Sequence, residues 1–128
     1  MEFLFLIGRI IFGGYFVYSS LGHFKNNAAL SQYTASKGVP MPKYAVYFSG
    51  ILILIGGAGI LLGIFVKFAV LCLVLFLIPV SLIMHNFWRV SDPMQKMMEQ
   101  VNFMKNMALL GGALMTLAIL EPWSLALY

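Results

Sequence analysis

The chain has 128 residues, of which 62% are hydrophobic and only 9% are charged. An ordinary soluble domain is about 45–50% apolar and about 25% charged. The composition therefore excludes an ordinary globular domain, a disordered chain and a secreted disulfide scaffold, and the single cysteine, Cys72, excludes an internal disulfide. The net charge is +4, and the basic residues are separated from one another along the chain without forming a basic run. This pattern gives no indication of a nucleic-acid partner. We expect a small all-α integral membrane protein.

Four apolar stretches follow one another along the chain. The hydrocarbon core of a bilayer is about 30 Å thick and requires about 20 helical residues to cross it. The predicted spans cover residues 3–22, 44–65, 68–84 and 103–120, and Arg9 is the one charge inside the first span. We predict a single domain, a four-transmembrane-helix bundle.

Long connections join the first span to the second and the third to the fourth. In the first connection, Asn27 can cap a short helix that ends near Lys37, with Gly38 as its stop. In the second, the residues at 92–95 (Asp-Pro-Met-Gln) predict the start of a helix that runs to about Leu120. Its polar face carries Gln95, Lys96, Glu99 and Gln100. Both segments are predicted to be amphipathic and interfacial, the second alternatively extending the fourth span.

The distribution of basic residues predicts an orientation. The two long connections lie on the same side of a four-span protein, and they carry six of the eight basic residues: Lys25, Lys37, Lys43, Arg89, Lys96 and Lys105. Cytoplasmic loops are enriched in Lys and Arg. We therefore predict that the long connections are cytoplasmic and that both termini are outside.

Small residues predict where helices pack closely, because lipid provides little hydrophobic force for helix association. Gly56, Gly59 and Gly63 share one face of the second span, and Ala108 and Gly112 lie four residues apart on the fourth. We assign these five positions to helix packing. The sequence leaves open whether they pack within the bundle or in a homodimer.

Arg9 is the first candidate for ligand binding, because it lies about 10 Å into a helix that is otherwise apolar. A charge at this depth usually faces the bundle and has a partner, for which Glu2 and Glu121 are candidates. Alternatively, its long side chain reaches back to the headgroups. The sequence favours neither alternative.

His85, Asn86 and Trp88 are the other candidates for ligand binding, because they follow the third span directly. Histidine can exchange a proton near neutral pH, although an interfacial aromatic belt also explains this group. His23 follows the first span in the same way, but no third ligand accompanies the two histidines at helical spacing. We assign no catalytic residue and no metal site.

Several short motifs, taken together and in order, resemble the DoxX family of membrane proteins. They are Gly8-Arg9 with Phe12 and Phe16, Gly22-His23-Phe24-Lys25, Gly38-Val39-Pro40-Met41-Pro42, Gly56-Gly57 with Leu62-Gly63, His85-Asn86-Phe87-Trp88, and Phe103-Met104-Lys105-Asn106 with Gly111. Many relatives carry an acidic residue about one turn before the paired glycines, where this chain has only leucine and isoleucine at 52–55.

The resemblance implies a multi-pass protein of the prokaryotic cytoplasmic membrane. Relatives are linked to quinol oxidase and thiosulfate–quinone electron transfer, which implies an accessory subunit without its own electron carrier. Its ligand would be a quinone, held between the helices near His85 with Arg9 or Asn86 orienting a polar group, and its partners would be lipids and a membrane redox protein. The alternative is a non-enzymatic assembly, chaperone or lipid-binding module. A transporter is the third alternative.

Overall fold

A computed structural model describes residues 1–126, and this part of the chain is helical without any strand. Its five α-helices are α1 (Glu2–Lys25), α2 (Asn27–Ser36), α3 (Pro42–Leu62), α4 (Val66–Ile83) and α5 (Pro93–Met115). Two short 3₁₀ helices, Phe87–Arg89 and Thr116–Ala118, follow α4 and α5. The all-helical fold predicted from the sequence is therefore confirmed.

Three helical segments in the described chain are long and apolar enough to cross a membrane: Glu2–Lys25, Pro42–Leu62 and Val66–Arg89. They correspond to the first three predicted spans. The fourth, predicted over residues 103–120, differs because α5 begins at Pro93 and ends at Met115. The polar residues Glu99, Asn102, Lys105 and Asn106 lower its hydropathy.

The expected continuation of α5 to Leu120 is wrong, because the chain turns back after Thr116–Ala118. Ile119 has an extended backbone with ψ of 124°. The Trp123 ring is buried and packs edge-to-face on Phe5 of α1, with 5.0 Å between the ring centroids. The segment after α5 therefore closes one end of the structure against α1.

Local sequence signals account for the helix boundaries. The Asp92 side chain accepts a hydrogen bond from the Gln95 N–H at 3.0 Å, and Pro93 occupies the first position of α5. The turn between α3 and α4 is short because Gly63 adopts a left-handed conformation with φ of 73°, which glycine accepts without steric cost. Asn27 lies in the first turn of α2 instead of capping it.

The α3 helix is central, since it packs against α1, α2 and α4, and α5 packs against α4. Its contact with α1 is a backbone crossing at Gly13 and Gly57. A Cβ atom on Gly13 would lie 2.6 Å from the carbonyl oxygen of Gly57, and one on Gly57 would lie 2.8 Å from that of Gly13. No Cα atom of α1 lies within 8 Å of one in α5, so these two helices meet only through side chains such as Phe12 against Gly112.

The five positions assigned to helix packing lie in different surroundings. Gly56 and Gly59 face α4, where added Cβ atoms would lie 2.5 Å from Leu73 and Ala69 side-chain atoms, respectively. Gly63 lies beside Arg9, and Gly112 faces the Phe12 ring. Ala108 is exposed.

The crossing of α1 and α3 predicts opposite effects for two adjacent glycines. We expect Gly13→Ala to lower the free energy of unfolding by about 1–3 kcal/mol, because the new methyl group would overlap backbone atoms of α3. Gly14→Ala adds its methyl group where no atom lies within 4 Å, so it should be neutral or stabilising by up to about 1 kcal/mol. Unfolding in detergent, followed by circular dichroism, measures both. Equal stabilities of the two variants would contradict the crossing.

Candidate functional site

Arg9 forms the first of two buried polar clusters. Only 3% of its surface is exposed. Its guanidinium donates hydrogen bonds to carbonyl oxygens at the end of α3, namely Ile60 at 3.3 Å and Leu61 at 3.0 Å. It also donates to Ser124 at 2.7 Å and Leu125 at 3.4 Å in the segment after α5. Arg9 thus joins three separate parts of the chain.

The charge on Arg9 is stabilised without a carboxylate in the described chain. Within residues 1–126, neither Glu2 nor Glu121 forms an ion pair with it. The carboxyl end of a helix carries a partial negative charge, which favours a cation at the end of α3. The Phe5 and Trp123 rings lie 5.6 Å and 5.7 Å from its Cζ atom. Of the two alternatives left open by the sequence, the structure has Arg9 buried and not extended to the surface.

The second cluster lies at the opposite end and is centred on the Glu99 carboxylate, which is 9% exposed. Its Oε2 accepts a hydrogen bond from the Tyr33 hydroxyl at 2.5 Å and lies 3.3 Å from Lys37 Nζ. Its Oε1 lies 3.3 Å from His85 Nδ1 and 3.4 Å from Asn102 Nδ2. We name these five residues the Glu99 cluster. Its hydrogen bonds and ion pairs connect α2, the end of α4 and α5.

The charge state of Glu99 follows from these contacts. Burial alone would raise the pKa of the carboxyl, but the hydrogen bonds from Tyr33, His85, Asn102 and Lys37 outweigh it and hold the pKa below its usual range. Burial, together with the hydrogen bond to Glu99, raises the pKa of the Tyr33 hydroxyl. Because an ionised carboxylate can only accept, the hydrogen lies on Nδ1 of His85. The other ring nitrogen, Nε2, has no role in this cluster.

A cavity of about 430 Å³ lies between the two clusters, nearer to the Glu99 cluster. Most of its wall is apolar, with Phe16, Leu77 and Leu109 among the lining residues. Its polar lining includes His23, Tyr33, Thr34, His85, Lys105 and Asn106. Ligand sites commonly have volumes of about 300–1,000 Å³ and combine an apolar wall with a few polar groups. The cavity therefore has the size and lining to hold the head of an amphipathic molecule.

The structure brings some of the predicted binding residues together and separates others. His85 lines the cavity, and Asn86 accepts a hydrogen bond from Lys37 at 3.1 Å at the edge of the Glu99 cluster. Trp88 is half exposed and packs edge-to-face on Phe87 and Phe103, and it does not line the cavity. Arg9 lies in the other cluster, about 21 Å from the level of His23 along α1. It is therefore remote from His85.

Sequence reasoning missed the Glu99 cluster and the polar residues of α5 that line the cavity. Glu99 was placed on the polar face with Gln95 and Lys96, both of which are exposed in the structure. The signal that could have found it is the spacing of Glu99, Asn102 and Asn106, which lie three and four residues apart and share a helical face. His23 also lines the cavity, and its Nδ1 donates to the Ser19 carbonyl oxygen at 2.9 Å. In residues 1–126, no group of three His, Cys, Asp or Glu side chains is placed to hold a metal ion.

The fold and the cavity define a class of protein: a small helical membrane protein with an internal cavity that has a mostly apolar wall and a few polar side chains. The sequence model of the DoxX family matches residues 4–86, which is more than half of the chain, and the chain belongs to this family. Comparisons with curated proteins and with solved structures gave no match. The match ends after α4 and leaves α5 outside it.

The hydrogen bonds of Arg9 predict that a lysine cannot replace it. We expect Arg9→Lys to lower the free energy of unfolding by about 2–3 kcal/mol, because a compact ammonium group with three donors cannot replace all four hydrogen bonds of the planar guanidinium. Thermal unfolding in detergent measures this effect. Arg89→Lys, the same change at an exposed position, is the control and should leave stability unchanged. Equal losses in both variants would contradict the role of Arg9.

The lowered pKa of Glu99 predicts acid sensitivity. The folded pKa is below the unfolded value of about 4.3. The stabilisation by the carboxylate is therefore fully present above that value and is lost as the pH falls through the folded pKa. Tyr33, Lys37 and His85 are the titratable groups that face Glu99.

Melting temperatures measured from about pH 7 to about pH 3 test this dependence. Glu99→Gln should be less stable than the wild type at neutral pH and should lose less stability on acidification. Glu2→Gln, at an exposed position, is the control and should follow the wild type. If Glu99→Gln and the wild type lost stability in parallel, the carboxylate would not stabilise the fold.

Proposed function

We propose that this DoxX-family protein is an accessory membrane subunit that binds an isoprenoid quinone in the cavity. The observation that carries the proposal is the cavity itself, whose wall is largely apolar and whose polar lining includes His85 and Tyr33. The volume of about 430 Å³ matches a quinone ring with the beginning of its isoprenoid tail. The remainder of the tail would lie among the lipid chains.

His85 is the residue best placed to exchange a proton with such a ring. Its Nδ1–H is directed to Glu99 at 3.3 Å, which fixes the ring and leaves Nε2 for the ligand. Reduction of a quinone to a quinol consumes two electrons and two protons. In the proposed function a partner redox protein in the membrane supplies the electrons, and His85 passes protons between the quinone oxygen and water.

A second candidate function is a non-enzymatic module for membrane assembly or lipid binding. The observation that favours it is the first half of α5, where Met94, Met97, Met98 and Val101 are all more than half exposed. Methionine side chains adapt to varied apolar surfaces. In this function the exposed methionine face binds headgroups or a partner protein, or forms a homodimer, and the cavity holds a structural lipid.

We also propose that the part of α5 from Phe103 onward belongs to the fourth span and that the connections around α2 and Phe87–Arg89 face the cytoplasm. The support is the six basic residues in these connections, together with the contact between α2 and His85 through Glu99, which holds both connections at one end. Reporter fusions at the α3–α4 turn and at Tyr128, which lies outside the described residues, test the orientation. Reporters active in the cytoplasm at these two positions would contradict it.

Two leucine substitutions on α5 test quinone binding. Protein purified in patches of its native membrane should carry quinone above the level of the surrounding lipid, measured by extraction and chromatography. We expect Leu109→Trp to reduce this quinone several-fold, because Leu109 lines the cavity. Leu114→Trp is the matched control, since Leu114 is exposed and lies outside the cavity wall.

The result also separates the two candidate functions. Quinone at the bulk level in the wild type, with another lipid enriched and lost in Leu109→Trp, would favour the lipid-binding module. No enriched molecule in either protein would contradict both uses of the cavity.

A further inference from the structure

Asn106 is a buried amide without a partner in the described chain. It is 5% exposed and lines the cavity. Arg9 and Glu99, which are also buried, form several hydrogen bonds each, whereas the buried Ser81 hydroxyl forms none within residues 1–126. Within residues 1–126 the Asn106 side chain forms none. Its polar atoms are not fully enclosed, since Ser81 Oγ is the one fully buried side-chain N or O atom without a partner in residues 1–126. The amide is therefore open to the cavity that it lines and is available to a molecule there.

Lys105 supplies a positive charge beside Asn106. It also lines the cavity, and its Nζ atom lies 5.7 Å from the centre of the Tyr15 ring. No carboxylate in residues 1–126 lies within ion-pair distance of it, since Glu99 pairs with Lys37 and His85. Lysine only donates hydrogen bonds. The wall formed by Lys105 and Asn106 thus favours an oxygen that accepts hydrogen bonds and carries full or partial negative charge.

The same residues lie where the helices separate. No Cα atom of α1 lies within 8 Å of one in α5, and side chains bridge this gap. Tyr15 with Lys105 forms one bridge, and Phe12 against Gly112 forms the other. Tyr15 and Lys105 are both exposed on one side and line the cavity on the other. The cavity therefore reaches the surface of the protein beside Tyr15 and Lys105, where the backbones of α1 and α5 do not come into close contact.

We propose that Asn106 and Lys105 bind the polar head of an amphipathic molecule, through a carbonyl or carboxylate oxygen, and that the molecule reaches them between α1 and α5. This inference rests on the proposed function of the cavity and names the residues that select its ligand. Asn106 donates from its amide nitrogen, and Lys105 donates from its ammonium group. The chain of the molecule occupies the apolar wall formed by Phe16, Leu77 and Leu109.

Binding of three probes to the purified full-length protein in detergent tests the assignment of Asn106. The probes are decylubiquinone with ring carbonyls, dodecanoate with a carboxylate, and dodecane without a polar head, and the measurement is the ligand-induced rise in melting temperature. We expect Asn106→Leu to weaken binding of the oxygen-bearing probes about three- to tenfold, the effect of one lost hydrogen bond. Dodecane binding should be unchanged or stronger, which shows that the variant keeps its cavity.

Lys105→Gln distinguishes the two sources of the accepting oxygen. If the natural ligand is a carboxylate, dodecanoate binds the wild type more tightly than decylubiquinone does, and Lys105→Gln weakens it most. If the ligand is a quinone, decylubiquinone binds more tightly and Lys105→Gln weakens it by a smaller factor. Lys96→Gln is the matched control, because Lys96 is exposed on the same helix and lies outside the cavity wall.

Separate outcomes overturn the inference and the proposed function. If the wild type binds decylubiquinone or dodecanoate and Asn106→Leu binds them equally well, the assignment of Asn106 is wrong and the cavity remains a binding site. An equal loss of dodecane binding in Asn106→Leu would also overturn the assignment, since the variant would then have lost the cavity. If the wild type binds none of the three probes, the proposed function fails as well.

Discussion

The backbones of α1 and α3 touch at Gly13 and Gly57, and α3 also packs against α2 and α4, so most of the structure depends on the position of this helix. The α3 helix uses Gly57 against α1 and Gly56 with Gly59 against α4. In a membrane, helices gain little from burying apolar side chains, so close backbone packing has to supply the attraction. The two faces of α3 thus hold α1 and α4 in place, and their positions determine where the polar residues of those helices lie.

Two buried charged residues, Arg9 and Glu99, connect separate parts of the chain at the two opposite ends of the structure, and each charge is stabilised in a different way. Arg9 is bound by carbonyl oxygens that the end of α3 leaves unpaired. Glu99 is bound by side chains from α2, from the end of α4 and from α5 itself. Neither charge depends on the other. Within residues 1–126, backbone carbonyl oxygens thus stabilise the Arg9 charge in the absence of a carboxylate partner.

The parts of the fold that sequence predicted are those with local signals. Long apolar runs marked α1, α3 and α4, and Asp92 with Pro93 marked the start of α5. The partners of Arg9 could not be predicted, because backbone carbonyl oxygens have no residue signature and Ser124 lies 115 residues away. Glu99 was misplaced for a related reason: a local pattern of polar residues indicates an exposed face, and only the contact with α2 turns that face inward.

The cavity follows from the uneven use of small residues. Gly13 packs against α3, while Gly8 and Gly14 face open space. On α5, Gly111 faces open space, and Gly112 meets the Phe12 ring instead of a backbone. With no pair of small residues between them, α1 and α5 are separated by the width of their side chains, and the space that remains is lined by Lys105 and Asn106. A helix pair that packed as closely as α1 and α3 would remove this space. The loose contact between α1 and α5 thus leaves room for one side of the cavity, whose other sides are formed by α2, α3 and α4.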